Sequence, residues 1–215
     1  MRTIILLDFD GVILDSVPIK DEAFLSLFSD YSPEIQVKAE RFWVNTRGMD
    51  RAERIRQGFF ESANIRPTEK QLASLIKRYK ERIACSMFHA PWMNGAIEFL
   101  STQQHGPIFV VSAAPEDEVL SIVAKRQIDQ YVQRVYGGPR SKVDNIAMIF
   151  SDIQEDITNT IFVGDALNDL SAAQTFSIPF LGIVKEGAPS PFPKDVPVAH
   201  DLRDIDLFLN PLNLS

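Results

Sequence analysis

Short, continuous apolar runs that alternate with longer helical patterns limit the folds open to this chain more than any other feature. The clear runs are residues 4–7, 108–111, 161–163 and 180–184, and a weaker run passes through Val135 and Tyr136. A strand that is covered by helices on both faces is apolar throughout rather than at alternate positions. The alternation of such strands with helices predicts βαβ units around a parallel sheet.

The stretch between the first and second of these runs has a different character. It carries helical patterns rich in charged residues, and Thr68 and Gln71 have the spacing of a capping box at the start of its clearest helix. One face of that helix is apolar, with Leu72, Leu75, Ile76, Tyr79 and Ile83. We therefore expect a helical insertion of residues 16–87 within an α/β core made of residues 1–15 and 88–215.

The composition narrows the possible partners. A net charge of −7 argues against nonspecific binding to nucleic acid, which depends on clustered Lys and Arg. The apolar runs are all far shorter than the roughly 20 residues that cross a bilayer, so no membrane partner is expected. The apolar stretch at the N-terminus is too short for a signal sequence and leads directly into acids, which favours a cytoplasmic protein, a monomer or homodimer.

The end of the first run carries two acids, in the order Asp8-Phe9-Asp10-Gly11. Residues two apart on an extended chain project to the same side, so both carboxylates can face one pocket. Two carboxylates held close together repel each other unless a cation or a shared proton compensates, which makes a divalent metal the natural third member. Alone, such a pair is more often two loop acids than a site.

The second long run ends at Ser112, followed by Ala113, Ala114 and Pro115. Pro115 suits the first turn of a helix, and the free backbone amides of such a turn, with the Ser112 hydroxyl, can bind a phosphate. The alternative interpretation of Ser112 is an ordinary helix N-cap.

Two further segments complete the pattern. Lys142 in GGPRSK is expected at the opening of a helix, where a cation opposes the helix dipole and is either exposed or held for a ligand. Asp165 and Asp169 are four apart, and we expect them on one helix face, where they repel unless something positive lies between them. Because ligands of open parallel sheets bind beyond the carboxyl ends of the strands, all these groups are predicted to meet at one edge.

The segments DFDGVILDS, VVSAAP, Lys142 and VGDALND, in this order, resemble the motifs of the haloacid dehalogenase superfamily over essentially the whole chain. The resemblance implies a Rossmann-like three-layer α/β/α core with a parallel sheet. It also implies a small all-helical cap, as in the phosphoglycolate phosphatase and β-phosphoglucomutase branch. The implied activity is the Mg²⁺-dependent hydrolysis of a small phosphate ester through a phosphoaspartyl intermediate.

The resemblance also implies the roles of the acids. Asp8 is expected to be the nucleophile, and Asp10 the general acid that protonates the leaving oxygen and then the base that activates water. Asp8, the backbone carbonyl of Asp10 and Asp165 are expected to bind Mg²⁺. Asp169 is expected to act through a water-mediated metal contact or by orienting the lysine of the third motif.

The remaining expected contacts are to the substrate. The resemblance implies that Ser112, with the backbone of Ala113, binds the phosphoryl group and that Lys142 offsets its charge. Since relatives often have a second hydroxyl residue after the serine, SAAP leaves one donor to the backbone. Lys20 and Arg47 in the insertion are further candidates for substrate binding, and the alternative for each is a solvated surface position.

Two other functions remain open at this point. A phosphosugar mutase would use the same aspartate but return the phosphoryl group to the substrate instead of water. A non-catalytic sensor of phosphorylated metabolites on the same fold is less favoured, because every charged motif residue is present. Dehalogenation is disfavoured by Asp10, since related dehalogenases lack the second aspartate of the first motif.

Overall fold

The computed structural model describes residues 3–102, 106–153 and 158–209. The chain divides into two compact units, one formed by Met1–Asp15 with Pro91–Ser215 and the other by Ser16–Ala90. The first unit contains the sheet, and the second is built from helices. The sequence predicts an insertion that ends at residue 87, whereas the last helix of the second unit runs to Phe88.

The first unit is built on a six-stranded sheet with the order β3-β2-β1-β4-β5-β6. The strands are β1 Ile4–Leu7, β2 Ile108–Pro115, β3 Arg134–Gly138, β4 Thr160–Gly164, β5 Phe180–Ile183 and β6 Val198–Ala199. All neighbouring strands pair in parallel, so the predicted α/β fold is confirmed. Leu7 pairs with Val110 on one side and with Val163 on the other, which brings the carboxyl ends of three strands to one edge.

The helices alternate with these strands as the apolar pattern predicts. In chain order they are α1 Val17–Leu25, α2 Pro33–Asn45, α3 Arg51–Ala63, α4 Glu69–Phe88, α5 Ala96–Ser101, α6 Glu116–Lys125, α7 Lys142–Asp152, α8 Leu167–Thr175 and α9 Asp206–Leu209. Ile146 of α7 and Leu170 of α8 pack against Ile4 and Leu6, so these helices cover one face of the sheet. α6 packs on β2 and β3 through residues outside that cluster, as the second helical layer of a three-layer fold requires.

The chain leaves and re-enters the first unit at one point. The backbone N of Asp15 donates to the carbonyl of Pro91 at 2.8 Å, and Leu14 forms an antiparallel bridge with Trp92. The two ends of the segment that forms the second unit are therefore joined through the first unit's own hydrogen bonds.

Stacked aromatic rings fill the second unit. Phe24 lies on Trp43 with ring centroids 3.9 Å apart, and Phe28 lies on Phe59 at 4.3 Å. The predicted capping box at the start of α4 is confirmed, with reciprocal hydrogen bonds between Thr68 and Gln71. Among the described residues, no helix is long and apolar enough to cross a membrane.

Gly58 in α3 is expected to resist substitution by alanine, although alanine favours a helix by about 1 kcal/mol over glycine. A Cβ at this position would lie 2.7 Å from the ring of Phe24, which is fully buried. We expect Gly58→Ala to lower the free energy of unfolding by about 1–3 kcal/mol in urea denaturation, since overpacking forces buried rings to move.

Ser62, one turn further along α3, provides the matched control. Its hydroxyl is buried without a hydrogen-bond partner among the described residues, so Ser62→Ala should leave stability unchanged or raise it. A Gly58→Ala variant as stable as the wild type would contradict the packing argument.

Candidate active site

The first strand leads into a turn at Gly11. Asp8 follows β1 directly and is buried, with its backbone N donating to the carbonyl of Val163 at 2.9 Å. Gly11 has φ +79 and donates to the carbonyl of Leu14 at 2.8 Å. A Cβ on Gly11 would lie 2.4 Å from Oδ2 of Asp165. Glycine is therefore required here both by the backbone conformation and by the close approach of a carboxylate.

Lys142 is the first residue of α7, as the sequence predicts, and it is buried. The preceding residue, Ser141, caps the helix by accepting a hydrogen bond from the backbone N of Asp144 at 3.1 Å. Lys142 Nζ forms an ion pair with Oδ1 of Asp8 at 2.8 Å, and it donates to Oδ1 of Asp169. These two carboxylates offset the unfavourable position of a cation at a helix N-terminus.

Asp169 is fully buried near the start of α8. Its Oδ2 accepts a hydrogen bond from the backbone N of Ala166 at 3.1 Å. A Cβ on Gly164 would lie 2.4 Å from the Cβ of Asp169, so only glycine allows this approach. The expectation that Asp165 and Asp169 share a helix face is wrong. Because Ala166 is extended and α8 begins only at Leu167, Asp165 lies in the loop between β4 and the helix.

Three carboxylates converge at this edge of the sheet. Oxygen atoms of Asp8, Asp165 and Asp169 lie within 4.8 Å of one another. Their mutual repulsion is offset in part by Lys142, which contacts both Asp8 and Asp169. A donor set made only of carboxylate oxygens suits a hard divalent cation, so these residues fit such an ion.

The pKa values of Asp8 and Lys142 reflect the cost of burying several charges close together. Burial raises the pKa of Asp8 to about 7, and the neighbouring charges of Asp169 and Asp10 add to that rise while Lys142 opposes it. Burial by itself would lower the pKa of Lys142, but Asp169 and Asp8 outweigh it and raise that pKa above its usual value. The side chain of Asp10 is therefore close enough to Asp8 for their charges to interact.

The structure around Ser112 differs from the expectation. β2 continues through Ser112 and Ala113 to Pro115, and its register with β3 shifts between Val111 and Pro115. The interpretations of Ser112 as a helix N-cap and of Pro115 as a first-turn residue are therefore wrong, because α6 begins only at Glu116. The buried Ser112 Oγ accepts from the backbone N of Ala114 at 3.1 Å, and its proton has no acceptor among the described residues.

Lys20 and Arg47 lie in the second unit. Lys20 is in α1, and the guanidinium of Arg47 is 2.8 Å from Oδ2 of Asp21. The other oxygen of Asp21 accepts a hydrogen bond from Trp43 Nε1 at 2.9 Å. Asp21 is not predicted from the sequence, because no local pattern marks a partner that is 26 positions away from Arg47. The roles of Lys20 and Arg47 in substrate binding stay predictions.

Comparison with known proteins identifies the family. The profile of the haloacid dehalogenase-like hydrolases matches residues 5–183. The chain belongs to this family. The prediction made from the four motifs is thereby confirmed, and so is the prediction of an enzyme of this hydrolase family.

Curated relatives and solved structures agree with this membership. The chain is 24% identical over 188 residues to a phosphoglycolate phosphatase of Pseudomonas putida, a match that covers 84% of this chain and 68% of the relative. It is 24% identical over 185 residues to phosphoglycolate phosphatase 1 of Pseudomonas aeruginosa, covering 81% and 66%. The chain thus spans about two thirds of the length of these relatives.

The fold is shared with a structure from Haemophilus somnus described as a predicted phosphoglycolate phosphatase. The TM-score is 0.77 at 18% identity, with 97% of this chain and 98% of that chain covered. At this identity the likeness establishes the fold.

The raised pKa of Asp8 gives a test that needs no substrate. In the metal-free protein the folded state keeps a proton on Asp8 up to about pH 7, whereas the unfolded chain loses it near the usual value of 3.8. The contribution of Asp8 to stability therefore falls as the pH rises between these values. We expect Asp8→Asn, in EDTA at pH 8, to unfold with a free energy at least about 1 kcal/mol above that of the wild type.

The difference should narrow towards pH 4, and urea denaturation at both pH values measures it. Asp195→Asn, at an exposed position, serves as the control and should follow the wild type at every pH. A metal-free wild type that is more stable than Asp8→Asn at pH 8 would show that the buried charge carries no such cost.

Proposed function

We propose that the protein is a Mg²⁺-dependent phosphatase that hydrolyses a small phosphate monoester through a phosphoaspartyl intermediate on Asp8. The observation that carries this proposal is the position of the Asp8 carboxylate. It is paired with Lys142 and stands beside the carboxylates of Asp165 and Asp169, at the carboxyl edge of a parallel sheet. Family membership and the phosphatases among the relatives support the same conclusion.

The first half of the reaction transfers the phosphoryl group to the protein. A carboxylate oxygen of Asp8 attacks phosphorus, and the bond from phosphorus to the ester oxygen breaks. Asp10 gives its proton to that oxygen, so the alcohol leaves in neutral form. A carboxylate is a nucleophile at neutral pH without a partner base, which suits it to this step.

The second half returns the protein to its starting state. Asp10, now ionised, takes a proton from a water molecule, and the water oxygen attacks phosphorus. The bond from phosphorus to Asp8 breaks, which releases inorganic phosphate and restores both carboxyl groups. Asp10 acts as acid in one half and base in the other, and the electrostatic repulsion between Asp10 and Asp8 supports a position close to the nucleophile.

Two further side chains act on the transferring group. Ser112 has a hydroxyl proton without an acceptor among the described residues, and it lies in β2, the strand next to β1, so it is suited to donate to a phosphoryl oxygen. Lys142 supplies positive charge beside the nucleophile, which lowers the repulsion between Asp8 and a phosphate dianion. Asp169 orients Lys142 by accepting its hydrogen bond.

Asp8, Asp165 and the backbone carbonyl of Asp10 would hold the Mg²⁺ ion in this proposal. When bound, the ion neutralises charge on the phosphoryl oxygens and lowers the pKa of Asp8, so that the carboxylate is ionised at neutral pH. The arrangement of acids, with a buried carboxylate of raised pKa among them, therefore supports the proposed metal requirement.

The names of the relatives and two cations of the second unit support a proposed substrate class. Phosphoglycolate phosphatase is the name of both curated relatives, so a small phosphorylated acid is the first substrate to test. Arg47 and Lys20 in the second unit would bind the carboxylate or a second phosphate of such a substrate, since arginine binds these groups through paired hydrogen bonds. A cytoplasmic location fits a substrate of this kind.

A panel of small phosphate esters, assayed for phosphate release with and without Mg²⁺, tests the proposal. It should include phosphoglycolate and β-glucose 1-phosphate. We expect Mg²⁺-dependent release from the wild type and a loss of at least about 1,000-fold in kcat for Asp8→Asn, because the nucleophile is removed. Asp165→Asn should instead raise the Mg²⁺ concentration needed for half-maximal rate.

Acid-quenched samples should show the mass of a phosphoryl group on the peptide that contains Asp8, and Asp8→Asn should lack it. Asp195→Asn is again the control and should match the wild type. Isomerised sugar phosphate without phosphate release would show that the protein is a mutase and not a phosphatase. Ester binding without turnover would replace it by a sensor.

A further inference from the structure

Glu116, the first residue of α6, belongs to a closed ring of hydrogen bonds with residues on both sides of Lys142. Its Oε2 accepts from the backbone N of Gly137 at 3.0 Å and from the guanidinium of Arg140. Arg140 Nε donates to Oδ1 of Asn145 at 2.8 Å, and the Asn145 side-chain amide donates to the carbonyl of Gly137 at 3.3 Å. Each of the four residues is thus bonded to two others of the ring.

The packing around the ring leaves little freedom. A Cβ on Gly137 would lie 2.6 Å from the Cα of Glu116 and 2.8 Å from the carbonyl oxygen of Ala114, so the backbone at the end of β3 is in direct contact with the end of β2 and the start of α6. Asn145 is fully buried. The carboxylate of Glu116 lies in the first turn of α6, where negative charge is favoured by the helix dipole.

The ring links the segment that follows Ser112 to the segment that carries Lys142. Arg140 and Asn145 flank Lys142 in the chain, and Glu116 follows the irregular end of β2 that contains Ser112. We infer that Glu116 is a positioning residue. Through Arg140 and Asn145 it holds the start of α7, and with it the ammonium group of Lys142, at the site. This inference rests on the proposed function, because it assigns Lys142 to phosphoryl transfer.

Loss of the ring is expected to displace the start of α7 without unfolding the protein. The start of α7 would still be capped by Ser141 and covered by the apolar contacts of Ile146 and Ile149. The first turn would, however, no longer be tied to the end of β2. A displacement of about 1 Å at a catalytic group can cost about 100-fold in rate, so a local effect is enough to be measured.

Glu116→Gln and Arg140→Lys are the variants to make. Glu116→Gln keeps the shape of the side chain but removes the charge that holds Arg140. Arg140→Lys keeps a cation but cannot bind Glu116 and Asn145 at once, because it lacks the planar group with several donors. It therefore tests the geometry of the ring separately from its charge.

An ion pair between β3 and the far end of α7 supplies the matched control. Arg134 Nη1, in β3, lies 3.3 Å from Oδ2 of Asp152 at the end of α7. Asp152→Asn removes a link between β3 and α7 that is remote from Lys142. A purely structural role of such links predicts the same effect from Asp152→Asn as from Glu116→Gln.

Two readouts are combined, and one does not depend on turnover. In the metal-free protein we expect amide hydrogen exchange in residues 137–146 to be at least about 10-fold faster in Glu116→Gln, with residues 160–164 unchanged. With the preferred ester, kcat should fall about 10- to 100-fold while KM stays within about 3-fold, because Lys142 acts mainly on the transition state. The double variant should be no worse than the worse single variant.

The outcomes separate this inference from the proposed function. Unchanged exchange in Glu116→Gln, or equal acceleration in Asp152→Asn, overturns it. Faster exchange with an unchanged kcat also overturns it, since the ring would then be structural only. If the wild type hydrolyses no ester, the proposed function fails, and faster exchange confined to residues 137–146 in the ring variants still supports the positioning of Lys142.

Discussion

The ammonium group of Lys142, shared between Asp8 and Asp169, is the interaction on which the site depends. A lysine at the start of a helix is opposed by the helix dipole, and a buried aspartate next to other acids is opposed by burial and by repulsion. Lys142 is stable in this position only because both carboxylates are present. Removing its charge would leave two buried acids uncompensated, a change that typically costs about 3–5 kcal/mol, so Lys142 also joins β1, α7 and α8 to one another.

Two glycines make this concentration of charge possible, because they have no Cβ. Gly11 and Gly164 each lie where a Cβ would collide with a carboxylate, against Asp165 at one position and Asp169 at the other. The acids approach the ends of β1 and β4 because glycine leaves room for them. The chain thus accepts a local loss of stability in order to bring three carboxylates together at one edge of the sheet.

The sequence predicts five of the six described strands, all but the two-residue β6, and the main members of the cluster, because both follow from topology. Continuous apolar runs mark parallel strands, and parallel strands bring their carboxyl ends together, so Asp8 and Lys142 are placed correctly. Ser112 and Asp165 were assigned to the wrong local structure, because β2 continues past its apolar run and α8 starts late. Asp21 and the ring of Glu116 were not found, since contacts between distant segments leave no pattern in neighbouring residues.

The hydrogen bond from Asp15 to Pro91 has a consequence for how such a chain can change over time. Because the two ends of the segment between these residues are held together by the first unit, the segment is an insertion into a core that is already closed by its own hydrogen bonds. Segments whose ends lie close together are exchanged with little disturbance to their host. A different segment inserted at the same point would leave the cluster of Asp8, Lys142 and Asp169 in the first unit unaltered.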